Sequence, residues 1–315
     1  MAEERSQAHK PVLLAEVLAL IPEKARLAID CTVGGAGHAR EVLKRLGREG
    51  KLIGFDRDIV ALKIARENLQ EYSHRIELIH DSYANIDRHL DASLGNSTDF
   101  VFFDLGLSSL QLEDSGRGFS FRNPDEPLDM RFDCDSGEPL SVKLQETSED
   151  ALTGVLREFG EVDRARPLAR SMIRASQEGK LSTTGDLSRL VMDQFRGGKS
   201  KQLLAKVWQA LRIWVNDELG QLQAGMEKVV AHLGPGGVIA VISFHSLEDR
   251  FVKNFFARRE DPCVCPKSFP KCVCGAIPTL ERVTRKALKP STAEIETNPR
   301  ARSARLRAAR RLAAI

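Results

Sequence analysis

No apolar run in this chain approaches the roughly 18 residues that a membrane span needs, and Val238–Phe244 has only the length of a buried strand. Residues Met1–Lys10 are polar and charged without an apolar signal core, so a cytoplasmic protein is expected and export is not. The net charge of +3 on 315 residues provides no global field to attract nucleic acid. No serine sits in a G-x-S-x-G elbow, which argues against a Ser-His-Asp hydrolase. The glycine-rich turn near the start stops short of a full G-x-G-x-x-G, and no internal repeat is visible. Six cysteines without an export signal place the thiols in a reducing compartment, either free or on a metal.

What is present is the composition of a soluble protein of one large or two modest domains, 42% hydrophobic and 29% charged. Its most informative stretch is Ile29-Asp-Cys-Thr-Val-Gly-Gly-Ala-Gly-His-Ala-Arg. A short strand ends in an acidic residue, turns through Gly34, Gly35 and Gly37, and enters a helix near Ala39–Leu46. A second strand, Lys51–Phe55, ends in Asp56, about twenty residues past the glycines. Glycines let the backbone approach a ligand closely, and a carboxylate ending strand two accepts hydrogen bonds from both ribose hydroxyls. The pattern reads as a nucleoside-cofactor site.

Strands at Leu27–Cys31, Lys51–Phe55, Ile76–His80 and Phe100–Asp104 alternate with helices at Ala39–Leu46, Ile59–Leu69 and near Tyr83–Leu90; a short helix, Val12–Leu20, precedes them. That order predicts a parallel, doubly wound α/β sheet with its ligand at the carboxyl ends of the strands. Leu105–Asp135 reads as a long loop rich in Gly, Pro, Asp and Ser. Helices then follow at Ser148–Phe159, Asp163–Glu178, Thr184–Phe195 and Lys201–His232, before the turn Leu233-Gly-Pro-Gly-Gly feeds strand five, Val238–Phe244. The helical block is therefore expected as an insertion between strands four and five of one sheet.

Asp104 ends strand four, where a carboxylate can orient an amino group and take its proton; a helix cap or loop anchor is the plain alternative. Tyr83, just past strand three, is placed either to stack on a base or simply to pack. Ser243-Phe-His-Ser-Leu-Glu-Asp-Arg brings His245, Ser246, Glu248 and Asp249 to the end of strand five, with His245 as proton shuttle or base contact, or plainly as a cap or a satisfied core group. Cys263-x-Cys265 and Cys272-x-Cys274 have a single-residue spacing that differs from ordinary zinc sites, so a hairpin of free thiols is expected and no metal. Cys31 and Cys134 are expected to pack. Arg300, Arg302, Arg305, Arg307, Arg310 and Arg311 crowd the end of the chain, as a phosphate-binding cluster or a solvated tail.

Several long segments together resemble the bacterial 16S rRNA (cytosine-N4)-methyltransferases, the RsmH or MraW family. They are His9-Lys-Pro-Val-Leu-Leu-Ala-Glu-Val-Leu, Gly34-Gly-Ala-Gly-His, Gly54-Phe-Asp-Arg-Asp and Phe103-Asp-Leu-Gly-Leu-Ser-Ser-Leu-Gln-Leu. Arg117-Gly-Phe-Ser-Phe, Pro127-Leu-Asp-Met-Arg, Arg212-Ile-Trp-Val-Asn-Asp-Glu-Leu, Ile242-Ser-Phe-His-Ser-Leu-Glu-Asp-Arg and Asn298-Pro-Arg-Ala-Arg-Ser complete the set. The resemblance covers nearly the whole chain. It implies a Rossmann-like class I S-adenosylmethionine fold: residues 1–135 as the first part of the methyltransferase domain, 136–215 as an inserted helical domain, and 216–315 as the second part with a basic end.

It also implies S-adenosyl-L-methionine held by Ala36, Gly37, His38, Asp56, Tyr83, Asp104 and Gln111, with Asp104 and His245 in the chemistry. Ala36 stands where that family commonly has glycine and Tyr83 where it commonly has phenylalanine. The implied reaction is N4-methylation of a cytidine in the decoding region of 16S rRNA, in an assembling or assembled small subunit. Two alternatives are a methyltransferase-fold ribosome-assembly or RNA-binding factor without turnover, and a nucleoside-cofactor enzyme on another substrate, such as a nicotinamide-dependent oxidoreductase. The sequence leaves a monomer and a homodimer both open.

Overall fold

The computed structural model describes residues 11–90, 97–113, 115–195, 200–266, 268–269, 271 and 273–313. The chain divides into two compact units, Met1–Gly106 with Leu222–Ile315, and Leu107–Gln221.

The first unit begins with α1 (Leu14–Ala19), β1 (Leu27–Asp30), α2 (Gly37–Arg45), β2 (Lys51–Asp56), α3 (Ile59–Asn68), β3 (Ile76–His80) and β4 (Thr98–Asp104). Tyr83–Arg88, expected as an ordinary helix, is a 3-10 helix capped by the Ser82 side chain. The second unit contributes α4 (Ser109–Glu113), α5 (Leu140–Glu146), α6 (Glu149–Glu158), α7 (Ala165–Gln177), α8 (Thr184–Gln194) and α9 (Ser200–Asn216). The chain returns through α10 (Glu218–His232) to β5 (Leu233–Ser243), α11 (Ser246–Glu260), β6 (Leu280–Arg282), α12 (Thr292–Thr297) and β7 (Arg305–Arg311).

The seven strands form one sheet in the order β3-β2-β1-β4-β5-β7-β6. β1 to β5 pair in parallel, and β7 runs antiparallel to both β5 and β6. The doubly wound α/β expectation is met, and β4 pairs directly with β5 although the second unit separates them in sequence. Strand β4 shows why. Thr98-Asp-Phe-Val-Phe-Phe-Asp is apolar on both faces, as a strand covered on both sides must be. Phe100 and Phe102 enter one core, with Ala28, Ala240 and Ile242. Val101 and Phe103 enter the other, with Ile29, Ile239 and Val241.

Three sequence expectations change here. The insertion was bounded at 136–215, yet the compact unit runs from Leu107 to Gln221. Much of the supposed loop belongs to its core: Phe119, Leu128 and Met130 are buried with Leu140, Leu168 and Trp208. Backbone bonds from Leu140 to Asp129 and from Ser141 to Leu128, both 2.8 Å, fasten the loop to α5. Lys201–His232 is two helices, because Asp217 takes a left-handed conformation between α9 and α10. Arg212 pairs with Glu218 across that break at 2.7 Å, and the Asn216 amide donates to the Met130 carbonyl at 2.7 Å. The basic cluster is no tail: Arg305, Arg307, Arg310 and Arg311 lie with Leu306, Ala308 and Ala309 in β7, inside the sheet, while Arg300 and Arg302 lie in the 3-10 turn before it. β6 and β7 were not anticipated. Strand five also begins earlier than expected, at Leu233, with a register irregularity opposite Thr98 and Phe100.

Among the described residues, no helix is long and apolar enough to cross a membrane.

Candidate functional site

The site lies in the first unit, at the carboxyl ends of β2, β1 and β4, neighbouring strands that end in Asp56, Asp30 and Asp104. After β1 the chain bonds back to its neighbours: the Cys31 amide donates to the Phe102 carbonyl at 2.8 Å and the Val33 amide to the Phe55 carbonyl at 2.9 Å. It then turns with Gly34 at φ +51° and Ala36 at φ +67°, and α2 starts at Gly37. The left-handed φ of Ala36 costs an L-residue about 1–2 kcal/mol, the physical reason a glycine suits this position.

Asp56 closes the turn. Its Oδ2 accepts the Gly34 amide at 2.8 Å and its Oδ1 accepts the Asp58 amide at 2.9 Å. The Arg57 amide also bonds this carboxylate, whose roughly four lone-pair sites leave acceptor capacity for a hydroxyl donor. Burial pushes the carboxyl up to about 6, against the lowering effect of those amides. Asp30 was noted in the sequence only as the end of a strand. It is buried, accepts the Thr32 amide at 3.1 Å, and is pushed up to about 7 by burial and by Asp56.

Asp104 is fixed by its backbone amide, which donates to Thr32 Oγ1 at 2.7 Å. Its Oδ2 faces His38 Nδ1 at 3.4 Å, and His38 Nε2 lies 2.9 Å from the Val12 carbonyl. Oδ1 of Asp104 is buried and has no hydrogen-bond partner among the described residues. Burial first, then Asp30 and Glu248, push this carboxyl up to about 8. A buried acceptor without a donor is costly, so a ligand donor belongs there.

Tyr83 packs edge-on to Phe103 with ring centroids 5.1 Å apart, and Gly225 on α10 leaves room for its ring. A Cβ at residue 225 would lie 2.4 Å from Tyr83 Cδ2. Tyr83 is thus half-buried and held against Phe103.

His245 is the N-cap of α11. Its Nδ1 accepts the Glu248 amide at 3.4 Å, Nε2 lies 3.1 Å from Glu248 Oε1, and Glu248 Oε2 accepts the Phe244 amide at 2.9 Å. The structure thus gives His245 the capping role, both ring nitrogens being turned to Glu248. Asp249 lines the cleft beside His245 and is buried in an ion pair with Arg307 at 2.7 Å. Gln111 lies in the second unit, on α4, where its side-chain oxygen accepts the Ser108 amide at 3.0 Å.

A cleft of about 500 Å³ follows strand β5 in the first unit, lined by His245, Arg250, Lys253, Lys289, Arg302 and Arg305 among others. Of the clustered arginines, Arg302 and Arg305 reach this cleft, while Arg307 is buried and Arg311 donates to the Val230 carbonyl. Cys31 is buried as expected, and burial pushes its thiol up; Cys134 is exposed, correcting its reading as a packing residue. His9 and Cys272 lie outside the described residues.

The sequence pointed to no role for Asp30, and named Glu248 without its part in the His245 cap. A carboxylate closing the first apolar strand was a legible signal for the former; the capping box His245-x-x-Glu248 was one for the latter.

A family model described as the MraW methylase family matches residues 6–312. "Ribosomal RNA small subunit methyltransferase H" of Symbiobacterium thermophilum is 42% identical over 310 residues, covering 97% of each chain. The protein of that name in Syntrophotalea carbinolica is 44% identical over 309 residues, 96% of this chain and 98% of the other. That of Thermomicrobium roseum is 41% identical over 311 residues, 98% and 95%. An α/β sheet with a row of carboxylates at its strand ends, matched along almost its full length by these relatives, belongs to the MraW methylase family.

Proposed function

We propose that this protein methylates the exocyclic N4 of a cytidine in the decoding region of small-subunit ribosomal RNA, with S-adenosyl-L-methionine as methyl donor, in the cytoplasm. Family membership along the whole chain supports the reaction class, and relatives bear the name of a small-subunit rRNA methyltransferase. The observation that carries the reading is Asp104, whose buried Oδ1 lacks a donor at the end of β4.

The residues fit the cofactor. The turn through Ala36, Gly37 and His38 would meet the nucleoside with its backbone at the half-buried Gly37, Asp56 retains acceptor capacity for the ribose hydroxyls, and Tyr83 offers an aromatic edge for the base. When bound, the cofactor supplies an electrophilic methyl on a sulfonium centre. The chain's part is orientation and proton uptake. N4 of cytosine is a weak nucleophile because its lone pair is delocalised into the ring, so the base must leave its stack and present the amino group in line. Asp104 would accept a hydrogen bond from that amino group, fixing its direction. It would also receive the proton that N4 loses when the methyl carbon passes to nitrogen and its bond to sulfur breaks, the electron pair staying on the departing thioether.

The cleft of Arg250, Lys253, Lys289, Arg302 and Arg305 then holds RNA phosphates flanking the target, which positions the strand without reading its sequence. The assembling or assembled subunit is the proposed partner, because the target lies in folded ribosomal RNA.

Small-subunit particles and naked rRNA, incubated with the protein and isotope-labelled S-adenosylmethionine, should yield labelled N4-methylcytidine on nucleoside analysis. Label appearing in another nucleoside, or none in cytidine from either substrate, would overturn the reading.

A further inference from the structure

The segment between α11 and β6 follows a pattern that the site above does not use. Cys263, Cys265 and Cys274 come from two Cys-x-Cys pairs separated by Pro266–Lys271, yet their sulfur atoms all lie within 4.8 Å of one another. Cys263 Sγ and Cys274 Sγ are 3.9 Å apart. A disulfide requires about 2.05 Å, so these two sulfurs are not bonded. A tetrahedral zinc with Zn–S bonds of about 2.3 Å places its sulfurs about 3.8 Å apart, the separation seen here. The Val273 amide also donates to Cys265 Sγ at 3.4 Å, which orients that sulfur toward the cluster.

Packing supplies a second, independent argument. Val264, Phe269, Val273 and Ile277 of this segment are 83%, 50%, 74% and 64% exposed, so these side chains build no apolar core beneath it. Among the described residues 261–279 there is neither helix nor strand. A short segment that lacks both a core and a sheet ladder needs a cross-link or a metal to be held in one conformation.

We propose that Cys263, Cys265 and Cys274 form a thiolate site for zinc. This reverses the expectation drawn from the spacing: single-residue gaps are unusual for zinc, but the fold brings Cys274 back to Cys263, and proximity in space decides ligation. Binding replaces one proton on each thiol by a bond to the ion, so three protons leave as three Zn–S bonds form. The site is structural, fixing the 261–279 segment against the end of α11, where the Thr279 amide already bonds the Arg259 carbonyl at 3.0 Å.

The test uses the full chain, reduced, incubated with zinc chloride and then desalted. Elemental analysis should find about one zinc per chain, falling below about a tenth in the double variant Cys263→Ser/Cys274→Ser. Reconstitution with cobalt(II) in place of zinc should give the near-ultraviolet thiolate-to-metal charge-transfer absorption in the parent and not in the variant. Limited proteolysis of the unsubstituted protein should cut within 261–279 faster after chelation, a readout independent of how the variant folds. Less than about a tenth of an equivalent in the parent, retention of zinc by the variant, or a Cys263–Cys274 disulfide by mass under the same reducing conditions would each overturn the proposal.

Discussion

His38 Nδ1 stands 3.4 Å from Asp104 Oδ2 while His38 Nε2 stands 2.9 Å from the Val12 carbonyl oxygen. The carbonyl only accepts, so Nε2 carries the proton of that bond. Nδ1 faces the carboxyl. Burial, then Asp30 and Glu248, push that carboxyl up to about 8, so at neutral pH it is held as the acid.

The burial of this carboxyl sets a pH dependence. The folded carboxyl titrates at about 8 against 3.8 for an unperturbed one. Between those values the folded chain keeps a proton that the unfolded chain has released, so stability falls as pH rises through that window. Asp104→Asn removes the effect: its Tm should exceed that of the parent at pH 8, and the gap should close towards pH 4. Activity runs the other way. The carboxyl receives a proton only when ionised, so methylation should climb with pH to about 8 and level off. The amide variant should lose that limb and roughly 10²–10⁴ of turnover at saturating cofactor. Calorimetric melting and single-turnover rates across the range check both halves. Unchanged turnover would leave Asp104 a structural residue.

Asp56 has two duties, since both its oxygens accept backbone amides at the glycine turn. Asp56→Ala should weaken S-adenosylhomocysteine binding at least tenfold and also lower Tm, because two amides lose their acceptor at roughly 1–3 kcal/mol each when buried. Asp56→Asn keeps one acceptor and should recover part of the stability but not the affinity. In the parent, affinity should decline as pH falls below about 6, where the carboxylate takes up a proton. Titration calorimetry at pH 5 and 8 reads all three.

Gly225→Ala tests the seat of Tyr83. The new Cβ would meet the ring at 2.4 Å, so the ring must shift, and overpacking of this kind costs about 1–3 kcal/mol. Cofactor affinity should fall together with Tm. A lowered Tm with unchanged affinity would assign Tyr83 to packing alone.

The arginines of the last segment should separate by position. Arg307→Met leaves Asp249 buried without its close partner and should destabilise the chain by about 3–5 kcal/mol whatever the RNA. Arg302→Ala and Lys253→Ala, both exposed on the cleft, should leave Tm unchanged, weaken RNA binding, and reduce the slope of log K against log salt by about one each. Binding measured from low to moderate salt checks this, and an unaltered slope would remove the cleft from the RNA path.

By itself, the sequence determined the first four strands of the sheet, the glycine turn, and the carboxylates at Asp56 and Asp104, because each rests on local chemistry. Strand β4 is apolar on both faces whatever lies beside it, and a turn through Gly34 needs glycine wherever it occurs. The motif segments also carried the family. The tertiary structure alone decided which of two local readings won at the remaining positions. Arg305–Arg311 has the composition of a solvated tail, and becomes a strand only because β5 and β6 supply hydrogen-bond partners and Asp249 neutralises Arg307. The Leu105–Asp135 loop looks open in sequence because its few apolar residues have no periodicity; the helices of the second unit give Phe119, Leu128 and Met130 their core. His245 had the chemistry of a proton shuttle and the position of a cap, and Glu248, three residues on, made it the cap. The gathering of Cys263, Cys265 and Cys274 at one point depends on how the chain turns between them, which spacing alone does not fix.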